Sequence, residues 1–158
     1  MAGSIRFSNP KTLAKPPGYS YVVEASGPGR TVYFAGQLGL DMENKLVGAF
    51  GDFRAQCVRA FENMELALAA AGVAWADVVK INNYVVDISV NIAIFREVRD
   101  NYLNTKAPPA STTVGVPALA RPGALFEIEA IAIVPDKAAK AASGGAKKKS
   151  KASKKKKR

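Results

Sequence analysis

The chain contains no histidine. That absence excludes Ser-His-Asp and Cys-His catalysis and nearly all zinc sites. Any catalysis must rest on carboxylates, hydroxyls, Lys, Arg, backbone groups or a bound water. Cysteine is almost absent too: Cys57 stands alone, so there is no internal disulfide framework, and a reducing, cytoplasmic setting is expected. No apolar run approaches the roughly 20 residues that span a bilayer. The N-terminus has no charged stretch followed by an apolar one, so neither a membrane partner nor a signal peptide is expected. Glycine-rich phosphate loops are missing as well: "GPGR" has the composition of a hairpin turn, and nothing matches a nucleotide-binding fingerprint.

Acidic residues are missing from one region only. Residues 137–158 hold ten Lys and one Arg of the 23 basic side chains, while all 13 acidic ones lie in residues 1–136. The net charge of +10 is therefore a property of a tail, and the remainder is close to neutral. The tail also lacks aromatic and branched aliphatic residues and cannot bury enough surface to fold alone. The expected organisation is one domain over 1–135 followed by a disordered, Lys-rich tail over 136–158, within the size range of a single-domain core.

Inside the domain, "YSYVVEA" and "TVYFAGQ" are β-rich runs joined by "SGPGR", which predicts a hairpin. In "GDFRAQCVRAFENMELALAAAG", Phe53, Cys57, Ala60, Phe61, Met64, Leu68 and Ala71 recur at helical spacing. Asp52 is the candidate N-cap and Gly72 lies just past the end. Cys57 falls on this apolar stripe and is expected to be packing. "ADVVKINNYVVDI" is a third long strand, and a second helix over about 90–103 buries Ile92, Phe95, Val98 and Tyr102. Strands at 110–116 and 124–134 follow, linked by "PALARPG". The order predicts an α+β fold with two helices on one face of a single mixed sheet.

The other face of that sheet must meet water, a ligand or another subunit. In the last strand Phe126, Ile128, Ala130, Ala132 and Val134 form a row suited to the helices. Leu125, Glu127, Glu129, Ile131 and Ile133 form the opposite row, half acidic and half apolar. An oligomer interface with a polar pocket accounts for that mixture. In "PPASTTVGV", Val114 and Val116 are expected under the helices, which sends Ser111 and Thr113 to the face of Glu127 and Glu129.

These residues resemble the Rid family, the reactive-intermediate deaminases also called the YjgF family. The matching segments are "GYS", "VYFAGQLGLD", "QCVRAFENMELALAAAG", "ADVVKINNYVVDI", "FREVRDNYL", "PPASTTVGV" and "FEIEAIAIV", in the family's order across most of residues 17–135. The resemblance implies a chorismate-mutase-like fold and a homotrimer with ligand clefts between subunits. It also implies hydrolysis of imines and enamines, chiefly 2-aminoacrylate and its relatives, without a metal or cofactor. In such proteins an arginine in a Pro-Ala-Arg motif pairs with the substrate carboxylate, since a guanidinium offers two parallel charge-assisted hydrogen bonds. A glutamate of a Glu-Ile-Glu motif handles water.

Carried over by motif, Glu127 is the candidate catalytic residue, and Tyr19, Gly36, Ser111 and Thr113 are the candidate substrate-binding residues. Ser111 stands where the family has its arginine, so the usual anchor is absent. Arg96, in "FREVRD", and Arg121, in "ALARPG", are the candidates to replace it; a slip of one turn in the alignment would bring in Arg99 instead. Three readings follow: an imine or enamine hydrolase of altered substrate preference, a non-catalytic metabolite-binding or chaperone-like trimer, and a nucleic-acid-associated protein acting through its tail.

Clustered cations bind polyanions by releasing condensed counterions, and without interleaved aromatics the tail has nothing to stack on bases. Removing residues 137–158 should therefore abolish retention of DNA or RNA on a filter. Binding by the full chain should weaken by roughly 0.7–0.9 log units per log unit of salt for each phosphate neutralised.

Overall fold

In the computed structural model of the chain, residues 2–136 are described. The Lys-rich tail expected from position 136 onward lies outside the described residues except for Asp136. The elements run β1 (Ser4–Ser8), β2 (Val22–Ser26), β3 (Gly29–Leu38), α1 (Phe53–Ala70), a short 3-10 turn (Trp75–Asp77), β4 (Val78–Val86), α2 (Ile88–Asp100), β5 (Ala110–Val116) and β6 (Phe126–Pro135). Four strands form a mixed sheet in the order β3-β6-β4-β5. β6 runs antiparallel to both neighbours, whereas β4 and β5 are parallel, with α2 in the connection between them. The two helices pack against one another and against one face of this sheet, as the order of elements predicts.

The N-terminal pairing differs from the expected hairpin. β2 pairs antiparallel with β1, from Ser4 opposite Ser26 to Ser8 opposite Val22, and β3 pairs with β6 instead. Gly27, at φ +78°, and Pro28 turn the chain between two sheets rather than within one. Pro28 has no N–H to give a ladder, and its carbonyl accepts from the Asp136 N–H at 3.0 Å. Strand β1 is not among the elements expected above, although Ile5 and Phe7 alternate with polar neighbours in "SIRFS".

Helix α1 forms where its spacing predicts. Asp52 caps it by accepting from the Ala55 N–H at 2.9 Å, and Gly72 follows its end at φ +63°. Its stripe of Phe53, Cys57, Ala60, Phe61, Met64 and Leu68 is buried against Ile81 and Val85 of β4 and the expected row of β6, Phe126, Ile128, Ala130 and Ala132. Leu125, which precedes β6, packs partly against this same core rather than standing on the open face. Gln56 is buried on α1 with both ends satisfied: its Nε2 donates to the Gly123 carbonyl and its Oε1 accepts from the Leu125 N–H. This ties the helix to the loop that leads into β6.

Phe61 is the centre of the packing. Its ring stacks on Phe126 at 5.7 Å and on Tyr102 at 4.9 Å, and it meets Phe95 and Trp75 at its sides. Truncating it leaves a cavity bordered by both helices and the sheet. Phe61→Ala should cost about 3–5 kcal/mol, read as a lower urea midpoint in equilibrium unfolding.

Candidate functional site

Past a register shift between Val78 and Lys80, strand β4 alternates between two environments. Ile81, Asn83 and Val85 lie buried on the helix side, and Lys80, Asn82 and Tyr84 take the open side. The neighbouring strands inherit this parity through their register. Ser111 pairs with Ile81 and Thr113 with Asn83, so both hydroxyls stand on the helix side. Glu129 pairs with Asn82 and Glu127 with Tyr84, so both carboxyls stand on the open side. This corrects the expectation that hydroxyls and carboxyls share a face. Val114 is opposite Tyr84 and 40% exposed, not under the helices.

The reason is Asn83. It is a fully buried amide in an otherwise apolar row, and its nitrogen needs acceptors. Its Nδ2 shares two hydrogens among three acceptors, the Thr112 carbonyl at 3.1 Å, Ser111 Oγ at 3.1 Å and Thr113 Oγ1 at 3.2 Å. A carbonyl can only accept, which fixes the amide nitrogen on this side. Apolar side chains at 111 and 113 would remove two of the three acceptors. The polar residue at a core position in "KINNYVV" is the signal that would have set the parity of β5.

Ser111 and Thr113 line a cleft of about 510 Å³ at the free edge of β5, together with Tyr19, Arg96 and Arg99. Tyr19 is brought there by its neighbours. The Ser20 hydroxyl donates to the Pro108 carbonyl at 2.6 Å and the Ser20 N–H to the Pro109 carbonyl, pinning "GYS" to "PPAS". Gly18 has φ +86°, and a Cβ there would run into the Arg99 guanidinium, so the turn admits no side chain. Arg99 is only 5% exposed. It donates to Asp100 through Nε and one terminal nitrogen, and that same nitrogen reaches the Pro17 carbonyl at 3.4 Å.

On the opposite face, Glu129 accepts from Asn82 Nδ2 at 2.7 Å and from the Tyr84 hydroxyl at 3.1 Å. That second bond pushes the Tyr84 hydroxyl's pKa up. Glu127 lies against Gly36, where a Cβ would collide with its carboxyl. A shift of register in β3 between Phe34 and Gln37 brings this glycine alongside. Burial, and then the Glu129 charge, push the Glu127 carboxyl above its ordinary range, since both disfavour the ionised form. Nearer Glu129, Lys80 reaches Thr112 Oγ1, and burial lowers its pKa against the opposing pull of the Glu129 charge.

The five expected site residues thus separate into two groups within one chain: Tyr19, Ser111 and Thr113 at the β5 edge, and Gly36 with Glu127 on the open face. Arg96 belongs to the first group. Arg121 belongs to neither, because its guanidinium donates to the Asn44 carbonyl. Cys57 is fully buried, which pushes its thiol up to about 12, in keeping with a packing role. Among the described residues no group of three or more Cys, Asp or Glu side chains is placed to hold a metal ion, and no helix is long and apolar enough to cross a membrane.

Comparison with known proteins agrees with this architecture. The family model described as Endoribonuclease L-PSP matches residues 11–134, and the chain belongs to that family, within which the Rid, or YjgF, proteins fall. A 2-iminobutanoate/2-iminopropanoate deaminase from Dermatophagoides farinae is 34% identical over 117 residues, 73% of this chain and 85% of the relative. Protein DfrA from Myxococcus xanthus is 37% identical over 115 residues, covering 73% and 84%. Among solved structures, the Rid-family protein YyfB from Yersinia pestis superposes with a TM-score of 0.73 at 37% identity, covering 82% of this chain and 98% of its own.

The raised carboxyl of Glu127 has a consequence for stability. Between its unfolded and folded pKa values the native chain holds a proton that the unfolded chain has released, so stability falls as pH rises through that window. Glu127→Gln removes the loss. In scanning calorimetry the variant should melt above the wild type at about pH 7, and the gain should shrink toward about pH 4, near the ordinary glutamate value.

Proposed function

We propose that this protein hydrolyses small imines or their enamine tautomers, in clefts completed between copies of the chain in a homotrimer. The observation that carries the reading is Glu127: a half-buried carboxyl packed on a glycine, with its pKa raised toward the range a general base needs. The 2-iminobutanoate/2-iminopropanoate deaminase relative supports the same chemistry. Glu127 takes a proton from water as the water oxygen adds to the imine carbon, and delivers it to the nitrogen, giving a neutral carbinolamine. Glu127 then relays the carbinolamine hydroxyl proton to the nitrogen as the C–N bond breaks, and ammonia leaves with the carbonyl product. No cofactor is called for, because the imine carbon is electrophilic on its own.

The separation of the site residues supports the trimer. Tyr19, Ser111 and Thr113 meet Glu127 and Gly36 only if a second copy brings its open face to the β5 edge. That face also offers apolar area for contact: Tyr33 is 76% exposed, and Ile131 and Ile133 stand half-buried beside it. We place the protein in the cytoplasm, in line with its single unpaired cysteine.

Imines generated in situ by an amino-acid oxidase should be hydrolysed faster in the presence of the wild type. Glu127→Gln should lower kcat by roughly 10²–10⁴-fold, the usual share of a general base, and wild-type activity should rise with pH through the Glu127 titration. Sedimentation equilibrium should give three chains per particle. An unimpaired Glu127→Gln variant, or a stable monomer at micromolar concentration, would overturn the reading.

A further inference from the structure

Ser111 leaves the cleft without the arginine that the resemblance calls for, yet the charged side chains lining the cleft are all cationic. Arg96 and Arg99 line it, and no carboxylate does. The two arginines are three residues apart on α2 and so share a face, but they are not equivalent. Arg99 is buried and its charge is opposed by Asp100, with Pro17 and the Phe95 ring, 5.6 Å from the guanidinium, closing around it. Arg96 is exposed, and among the described residues it makes no hydrogen bond or ion pair. It presents an unengaged guanidinium to the same space as Ser111, Thr113 and Tyr19.

The hydroxyls point to the same ligand charge. Ser111 Oγ and Thr113 Oγ1 both stand within hydrogen-bond distance of Asn83 Nδ2, a group that can only donate, so neither hydroxyl hydrogen is needed there and each can be given to a ligand in the cleft. Two hydroxyl donors and a guanidinium that can bind in a fork complement the lone pairs of a carboxylate.

We propose that Arg96 is the specificity-determining anchor of this cleft, pairing with the carboxylate of an imino acid or keto acid while the Ser111 and Thr113 hydroxyls donate to the same group. This rests on the reading of the cleft as an imine-hydrolysing site. The anchoring cation has moved from strand β5 to helix α2, and the substrate class remains carboxylate-bearing.

The test is calorimetric binding of 2-oxobutanoate, the keto acid left by hydrolysis of 2-iminobutanoate, with butanone as its uncharged counterpart, to the full-length protein. Arg96→Gln should weaken 2-oxobutanoate binding about tenfold or more, the scale of one charge-assisted pair, and leave butanone unchanged. Arg96→Lys should lose less, and Ser111→Arg placed in the Arg96→Gln background should restore binding. In turnover, Arg96→Gln should raise KM for the imino acid more than it lowers kcat. Equal affinity of wild type and Arg96→Gln for 2-oxobutanoate would overturn the assignment. So would no binding by the wild type, or an equal loss of butanone. Arg96-dependent binding without imine hydrolysis would retain the anchor and remove the hydrolase reading. Glu127-dependent hydrolysis indifferent to Arg96 would do the reverse.

Discussion

The alternation of β4 is the constraint on which the rest of the molecule depends. A strand sends successive side chains to opposite faces, and β4 lies between β5 and β6. Once Ile81 and Val85 commit to the core under α1 and α2, Asn83 is carried there with them, and Asn82 and Tyr84 are committed to the open face. Hydroxyls at 111 and 113 and carboxyls at 127 and 129 follow by register alone. A one-residue slip would exchange every one of them. Asn83 discourages such a slip, because its nitrogen finds three acceptors in this register. Its Oδ1 is buried and makes no hydrogen bond among the described residues.

How legible each element is follows from how it is buried. Helix α1 is covered along one stripe, so its period, cap and terminal glycine could be located from the sequence alone. Strand β6 is covered on one face over its whole length, so its two rows separate cleanly. Strand β5 lies at the sheet edge, where α2 covers it only in part, and its parity is decided by a neighbour's amide rather than by its own valines. The β1–β2 pairing is illegible for another reason. Ser-Gly-Pro-Gly has the composition of a hairpin turn, and nothing local tells that β3 finds its partner a hundred residues on.

The candidate site shows the same division. Motif spacing places Tyr19, Gly36, Ser111, Thr113 and Glu127 in sequence, but their grouping is a property of two sheet faces and cannot be had from order along the chain. The choice among Arg96, Arg99 and Arg121 is likewise invisible in one dimension. It turns on which guanidinium is already engaged: Arg121 by a loop carbonyl and Arg99 by Asp100. Backbone detail supports each group at a distance. Ser20 holds the tyrosine through two prolines' carbonyls, and Gly36 gives Glu127 its room.

Cys57 makes the fold its own reporter. The thiol is the only one in the chain, lies fully buried in the core beneath α1, and has too high a pKa to supply thiolate. Alkylating reagents attack thiolate, so the native protein offers them no target until the helix parts from the sheet. Modification at this one position then counts openings of the core, free of any background from other sulfur. Because the residue lies fully buried in the core between α1 and the sheet, its labelling should follow openings of that core rather than fraying at an edge.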